Sequence, residues 1–331
     1  MVCKEQEMKP GYSVMRLLSI KMNLDVLASP LERISNQLFT KKRVNIFIKR
    51  DDLIHPVIEG NKFRKLKYNI EEIIKGQFKV IETFGGAYSN HLLAVSQAGK
   101  YINIPTIGYV NAAYADPNNH TLKACAENGM ELRLIDKVNF KKLLEEGRGI
   151  DNNSYFLPEG GSNEEALKGT SEIVTEILVQ LPSASHIVCP LGTGGTIAGM
   201  TTTDNKHLKI IAVPVLKMDA VSHLQNKFNQ LDFDDLEIWP DCHFGGYAKI
   251  QPELIDFIKT WYDDTNIVID PIYNGKALYG LFDKINNDHF PEGSNIVYVH
   301  TGGSQGIYGM NERFGLGLAV KSIIVDSNKV I

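Results

Sequence analysis

The sequence predicts a two-domain α/β fold of three-layer, open, twisted, mostly parallel sheets flanked by helices, on three observations. Short apolar runs alternate with amphipathic helical stretches along the chain, the order that gives parallel sheet covered on both faces. Several of these runs pass straight into glycine-bearing turns and then helices, and in such sheets ligands gather at the carboxyl ends of the strands. A chain of 331 residues with 43% hydrophobic content can bury a large core, and its length suggests about two domains.

Strand-like runs fall at 44–50, 79–84, 105–110, 131–135, 186–190, 209–215, 266–270 and 295–300. Helical periodicity covers 62–75, 90–100, 119–128, 138–146, 163–181, 219–230, 252–263 and 275–286. Gly76 and Gly129 read as helix stops. Ser162 with Glu165 reads as a capping box opening 163–181. The polar, glycine-bearing stretch 147–165 is the expected boundary region. No internal repeat is visible.

Net charge is −4, with 35 basic residues interspersed among 39 acidic ones, which argues against nucleic acid and membrane surfaces as partners. No run approaches the ~18 apolar residues of a membrane span, and the N-terminal stretch lacks an apolar h-region and a small-residue cleavage site. Cys3, Cys125, Cys189 and Cys242 are scattered, with no C-x-x-C pair. That pattern fits a reducing, cytoplasmic compartment and disfavours both a disulfide framework and a structural metal.

Five stretches carry chemistry. In "IEGNKFRKL" Lys62 stands at a helix start behind Gly60 and Asn61, where the backbone can turn tightly, while Lys65 and Lys67 read as ordinary solvated helix lysines. In "TFGGAYSNHLL" Ser89 and Asn90 are natural N-cap residues, and a helix start with a hydroxyl and free N–H groups also suits a carboxylate. His91 beside them reads as a local hydrogen-bonder. In "HIVCPLGTGGTIAGM" a strand runs into Gly192, Thr193, Gly194, Gly195 and Thr196 before a helix. Converging backbone N–H groups and two hydroxyls there suit a phosphate monoester. The G-K-[ST] of a P-loop is missing, and Ile197 spoils a dinucleotide fingerprint. "DPIYNGKALYGL" places Tyr273 and Asn274 after a strand-like run, and "VYVHTGGSQG" ends a strand at Thr301.

A phosphate cup, an isolated lysine and a carboxylate-binding turn together suggest pyridoxal phosphate, with the lysine forming a Schiff base to the aldehyde. At this point the motif series "EGNKFRKL", "GGAYSNH", "GTGGTIAG", "DPIYNGKALYGL" and "HTGGSQG" resembles the fold-type II pyridoxal-phosphate enzymes of the tryptophan synthase β type. Within these it is similar to the branch of D-cysteine desulfhydrases and 1-aminocyclopropane-1-carboxylate (ACC) deaminases. The resemblance runs in order from about Ile48 to Gly309.

That resemblance implies a smaller domain at 63–158 and a larger one from 1–62 with 159–331, with the cofactor in the cleft between them, and a homodimer. It implies that Lys62 holds the cofactor and then moves substrate protons. Residues Gly192, Thr193, Gly194, Gly195 and Thr196 would bind its phosphate, and Asn90 its ring oxygen, with Asn274 and Thr301 near the ring. Ser89, with Asn90 and His91, would bind the substrate carboxylate, and Tyr273 and Tyr247 would face the substrate. ACC deaminases carry glutamate where this chain has Asn274, and leucine where it has Thr301. A carboxylate beside the pyridine nitrogen deepens the electron sink, so its absence here favours β-elimination on D-cysteine, giving pyruvate, ammonia and sulfide. The alternative substrate is ACC, giving 2-oxobutanoate and ammonia. Two readings of other classes are a nicotinamide-dependent dehydrogenase, for which Asp219 is the candidate ribose acid, and a non-catalytic binding protein on the same fold.

Overall fold

A computed structural model of the chain describes residues 28–112, 115–116, 118–146, 153–205 and 207–321. Cys3, the N-terminal stretch read for targeting signals and residues 147–152 of the expected boundary lie outside the described residues. Two sheets organise the fold. The larger has six strands: β1 (Leu31–Ile34), β2 (Asn45–Lys49), β7 (His186–Leu191), β8 (Lys209–Pro214), β9 (Glu237–Ile238) and β10 (Asn295–Val299), in the order β1-β2-β10-β7-β8-β9. Only the β1–β2 pairing is antiparallel. The smaller has four parallel strands: β3 (Val80–Gly85), β4 (Thr106–Asn111), β5 (Met130–Ile135) and β6 (Ser154–Leu157), in the order β5-β4-β3-β6.

The continuous apolar runs have the expected cause, since alternate residues feed opposite faces. Val188 of β7 and Ile296 and Tyr298 of β10 enter one core cluster, while Ile187, Cys189, Val297 and Val299 enter another. In the smaller sheet Ile81 and Val110 pack on one side, and Phe84 and Tyr109 on the other.

Helices fill the crossovers: α1 (Gln37–Lys42), α2 (Gly60–Lys75), α3 (Asn90–Ile102), α4 (His120–Glu127), α5 (Lys137–Glu146), α6 (Glu164–Gln180), α7 (Gly195–Thr201), α8 (Ala220–Lys227), α9 (Pro252–Thr265), α10 (Asn274–Asn286) and α11 (Gln305–Phe314). Gly76 caps α2, and Gly129 follows α4 with a φ of 88°. Among the described residues no helix is long and apolar enough to cross a membrane.

Three sequence expectations fail for physical reasons. Residues 266–270 join no ladder: Asn266 is the left-handed cap of the helix before it, the Val268 carbonyl accepts from the His300 imidazole at 2.7 Å, and Asp270 turns inward to cap the next turn. Ser162 does not cap α6. Asn163 does, accepting from the Ala166 N–H at 3.1 Å, because the Ser162 hydroxyl is taken by Lys65 and Thr193. Lys65 is not solvated: it is 1% exposed, whereas Lys67 keeps its place at the rim, paired with Glu172 at 2.6 Å. The short elements β1, β6, β9, α1 and α11 were not expected from periodicity, which needs longer windows than most of them offer.

Candidate active site

The site is built around the entrance to α2. Gly60 takes a left-handed φ of 59°, and a Cβ there would stand 1.9 Å from the Thr301 carbonyl oxygen. That contact lets the Asn61 N–H donate to the same oxygen at 3.2 Å. The Glu59 carboxylate accepts from the Gly303 N–H at 3.1 Å, the Ser304 N–H at 2.9 Å and the Ser304 hydroxyl at 2.7 Å. The start of α2 is thus zipped to the loop after β10, and Lys62 is aimed into the cleft at the strand ends.

Behind Lys62 the helix is held by charge. Arg64, 1% exposed, donates to Asp51 at 2.6 and 2.7 Å and to Glu176 at 2.8 and 2.9 Å, and Lys49 meets Glu176 at 2.6 Å. Lys62 itself has no acid beside it. Among the described residues its Nζ donates only to the Asn61 side-chain oxygen, at 3.3 Å, and burial, with the nearby Lys227 charge, lowers its pKa to about 8. An amine so placed is uncharged far more often near neutrality than a surface lysine.

One cavity of about 400 Å³ receives Lys62. The loop from Gly192 to Thr196 forms one wall, with Gly192, Thr193, Gly194 and Thr196 lining it and Gly195 tucked beneath. The Thr196 hydroxyl accepts from Asn61 at 2.8 Å, and the Thr193 hydroxyl lies 3.2 Å from that of Ser162. Lys65 stands behind this loop. Its Nζ donates to the Gly160 carbonyl at 3.0 Å and to Ser162 at 3.2 Å, and lies 3.0 Å from where a Gly195 Cβ would be. Burial, then the Lys62 and Lys227 charges, push its pKa well down. Converging N–H groups, two hydroxyls and a buried ammonium fit a phosphate, and a partly uncharged lysine fits an aldehyde.

The opposite wall carries Ser89, Asn90 and His91. Ser89 caps α3, accepting from the His91 and Leu92 N–H groups at 3.2 Å each, so its hydroxyl proton stays available to a ligand. The Asn90 side-chain oxygen accepts from Gln305. The His91 ring is turned inward to the Thr83 hydroxyl at 2.9 Å, and burial holds it well below its ordinary pKa, so it is neutral.

At the third wall Tyr273 packs against Gly192, and its ring meets Tyr247 edge-on at 6.2 Å. Burial, then Tyr247, push the Tyr273 hydroxyl well above its usual range, so it stays protonated. Tyr247 sits on a loop with left-handed Phe244, Gly245, Gly246 and Ala248. The buried Lys276 pins this loop by donating to the carbonyls of His243 at 2.9 Å and Gly246 at 2.6 Å. Thr301 lines the cavity, but Asn274 lies one layer behind it. The Asn274 amide donates to Asp270 and to the Gly302 carbonyl, both at 2.7 Å, and its oxygen accepts from the Thr301 N–H at 3.1 Å.

Sequence reasoning missed Lys65, Glu159, His223 and Lys227, all of which line the cavity. For Lys65 a signal existed, because three residues after Lys62 is one helical turn along the same face. For the others there was none, since tertiary packing alone brings α8 and the turn after β6 to this cleft.

Comparisons with known proteins point to one family. A family model described as "Pyridoxal-phosphate dependent enzyme" matches residues 23–302. A protein of Arabidopsis thaliana named "Bifunctional D-cysteine desulfhydrase/1-aminocyclopropane-1-carboxylate deaminase, mitochondrial" is 30% identical over 80% of this chain and 73% of its own. A Klebsiella pneumoniae protein named "D-cysteine desulfhydrase" is 27% identical over 86% of this chain and 95% of its own. A solved structure titled "Crystal Structure Analysis of the ACC deaminase homologue" superposes with a TM-score of 0.75 at 26% identity, over 93% of this chain and all of that one.

Proposed function

This chain belongs to the pyridoxal-phosphate dependent enzymes, and from that premise we propose that it eliminates the β-substituent of a small amino acid, D-cysteine above all, releasing pyruvate, ammonia and sulfide. When bound, the cofactor supplies an aldehyde for amines and a ring that accepts electron density from the bond broken at Cα. Gly192 to Thr196 would hold its phosphate with Lys65 behind them, Asn90 its ring oxygen, and Lys62 its aldehyde.

The rest is done by the chain. The Ser89 hydroxyl and the N–H groups at the start of α3 orient the substrate carboxylate. Lys62, with its pKa lowered to about 8, takes the proton from Cα. Tyr273, kept protonated by burial, stands ready to give a proton to the departing sulfur. The walls from the two sheets exclude water while the bonds change.

One observation carries the choice of substrate. Among the described residues the one carboxylate lining the cavity is Glu159, from the turn after β6; Asp270 is sealed behind Asn274, which is committed to it. A ring met at the Thr301 end by a hydroxyl is a weaker electron sink than one met by an acid. That suffices to expel a thiol beside an acidic Cα–H, and is poorly suited to opening a cyclopropane that has no α-proton. The decisive assay gives purified protein D-cysteine, L-cysteine, D-serine and ACC in parallel, and measures pyruvate and 2-oxobutanoate. Pyruvate from D-cysteine is expected; 2-oxobutanoate from ACC as the main product would overturn the assignment.

We also propose the division at 63–158 against 1–62 with 159–331. It is supported by the smaller sheet's lying wholly within residues 80–157. The homodimer implied by resemblance and the cytoplasmic location implied by cysteine usage remain part of the proposal; light scattering on the purified chain measures the first.

A further inference from the structure

Helix α8 covers the phosphate-binding loop. A Cβ on Gly194 would stand 2.8 Å from Leu224 and 3.2 Å from Phe228, with His223 at 3.8 Å. On this face of α8, Lys227 follows His223 and Leu224 by one turn, and its side chain lines the same cavity as Lys62 and Lys65. Its ammonium has no hydrogen-bond or ion-pair partner among the described residues; the Phe228 ring lies 5.9 Å away, and Glu159 attracts it across the cavity from beyond ion-pair distance. Three lysines therefore converge on a cavity whose lining, among the described residues, holds a single carboxylate, Glu159. Lys65 is buried, Lys62 half-buried and Lys227 exposed at the cavity rim, and each has its pKa lowered, by desolvation first. This arrangement is costly in water alone and is relieved by an anion of more than one charge.

A phosphate monoester carries close to two negative charges at neutral pH. Lys65 supplies one cation, from behind Gly195 and against Ser162. We propose that Lys227 supplies the second, as a ligand of the cofactor phosphate reaching in from the α8 side of the Gly192–Thr196 loop. The inference rests on the cofactor assignment above and extends it to a residue that no motif contains.

The test is equilibrium binding rather than turnover. The full chain, freed of cofactor, is titrated with pyridoxal phosphate and separately with pyridoxal, which lacks the phosphate, following the near-violet absorbance of the lysine-bound form. Lys227→Gln should weaken pyridoxal phosphate binding by about tenfold or more and pyridoxal binding much less, the smaller loss coming from the Lys227 charge that Lys62 feels. Inorganic phosphate should compete less well on that variant than on wild type, and Lys227→Arg should restore most of the affinity. Equal losses for both aldehydes would overturn the proposal in favour of a packing role. Unchanged cofactor binding with a raised KM for the amino acid would overturn it in favour of a substrate contact. A wild-type chain that binds neither aldehyde would bring down the cofactor assignment itself.

Discussion

A lysine that must attack an aldehyde and later lift a proton needs an ammonium that gives up its proton near neutrality. Lys62 suits the role proposed for it because, among the described residues, nothing acidic pairs with it, while burial and the neighbouring Lys227 oppose its charge. The sign is definite. Its folded pKa lies below that of the unfolded chain, so its charged form costs stability; the cost is full below about 8 and is relieved progressively as pH rises from there toward the ordinary 10.5. Lys62→Ala should therefore abolish both turnover and the near-violet absorbance of the bound cofactor while leaving the melting temperature unchanged or slightly raised. Residual turnover with that absorbance intact would mean another lysine holds the cofactor. Lys276 acts at a distance. It is fully buried and spends its ammonium on two carbonyls of the loop that carries Tyr247. Lys276→Met should free that loop, cost ~1–3 kcal/mol of stability and lower kcat/KM about tenfold, with cofactor absorbance retained. Combined with Tyr247→Phe its kinetic effect should be less than additive, because both act through the same ring.

At the scale of elements, Lys62 is aimed by a contact that admits no side chain. Gly60 brings its Cα against the Thr301 carbonyl, so the start of α2 and the loop after β10 share one geometry. Gly60→Ala should cost at least ~1–2 kcal/mol from the left-handed backbone alone. The larger loss should fall on turnover, because relieving the clash must move either Lys62 or Thr301; calorimetry and kinetics on the same preparation separate the two. Much of this was legible in the sequence. The glycine turns after β3, β7 and β10 are local features, and strands buried on both faces announce themselves as apolar runs. Residues 266–270 have the same apolar character, yet hydrogen-bond partners decide what a strand is, and His300 had already claimed the Val268 carbonyl. Lys65 was misread as solvated because helical periodicity by itself assigns lysine to solvent, although its place one turn after Lys62 was a signal. What buries it is the Gly160–Ser162 turn, 95 residues along the chain at Gly160. The sequence marked Asn274 as a residue near the cofactor ring, but the three-dimensional network puts it one layer behind the cavity, with its amide spent on Asp270 and Gly302 rather than offered to a ligand.

Across the whole molecule, the cleft depends on an ionic knot that ties the helix bearing Lys62 to the larger sheet. Asp51 follows β2, Arg64 lies on α2, Lys49 ends β2 and Glu176 lies on α6. Gly169 of α6 allows the helices to meet closely enough, since a Cβ there would stand 1.9 Å from the Arg64 carbonyl oxygen. Breaking a buried pair on one side leaves its partners charged and desolvated. Arg64→Met should therefore destabilise the protein by ~3–5 kcal/mol, far more than loss of the exposed Lys75–Glu72 pair. The same knot sets the acid limit. Although burial alone would raise it, Arg64 and then Lys49 hold Glu176 down to about 2, below its ordinary 4.5. A depressed carboxylate contributes stability that is fully present above the unfolded pKa and is lost as pH falls through the folded one. Wild type should thus lose stability progressively between about pH 4.5 and 2. In a Glu176→Gln variant that part of the acid dependence should be absent, on top of a lower stability at neutral pH. Denaturant melts at stepped pH would show it: wild-type and variant curves that stay parallel through this window would mean that Glu176 is not where the molecule's acid sensitivity resides.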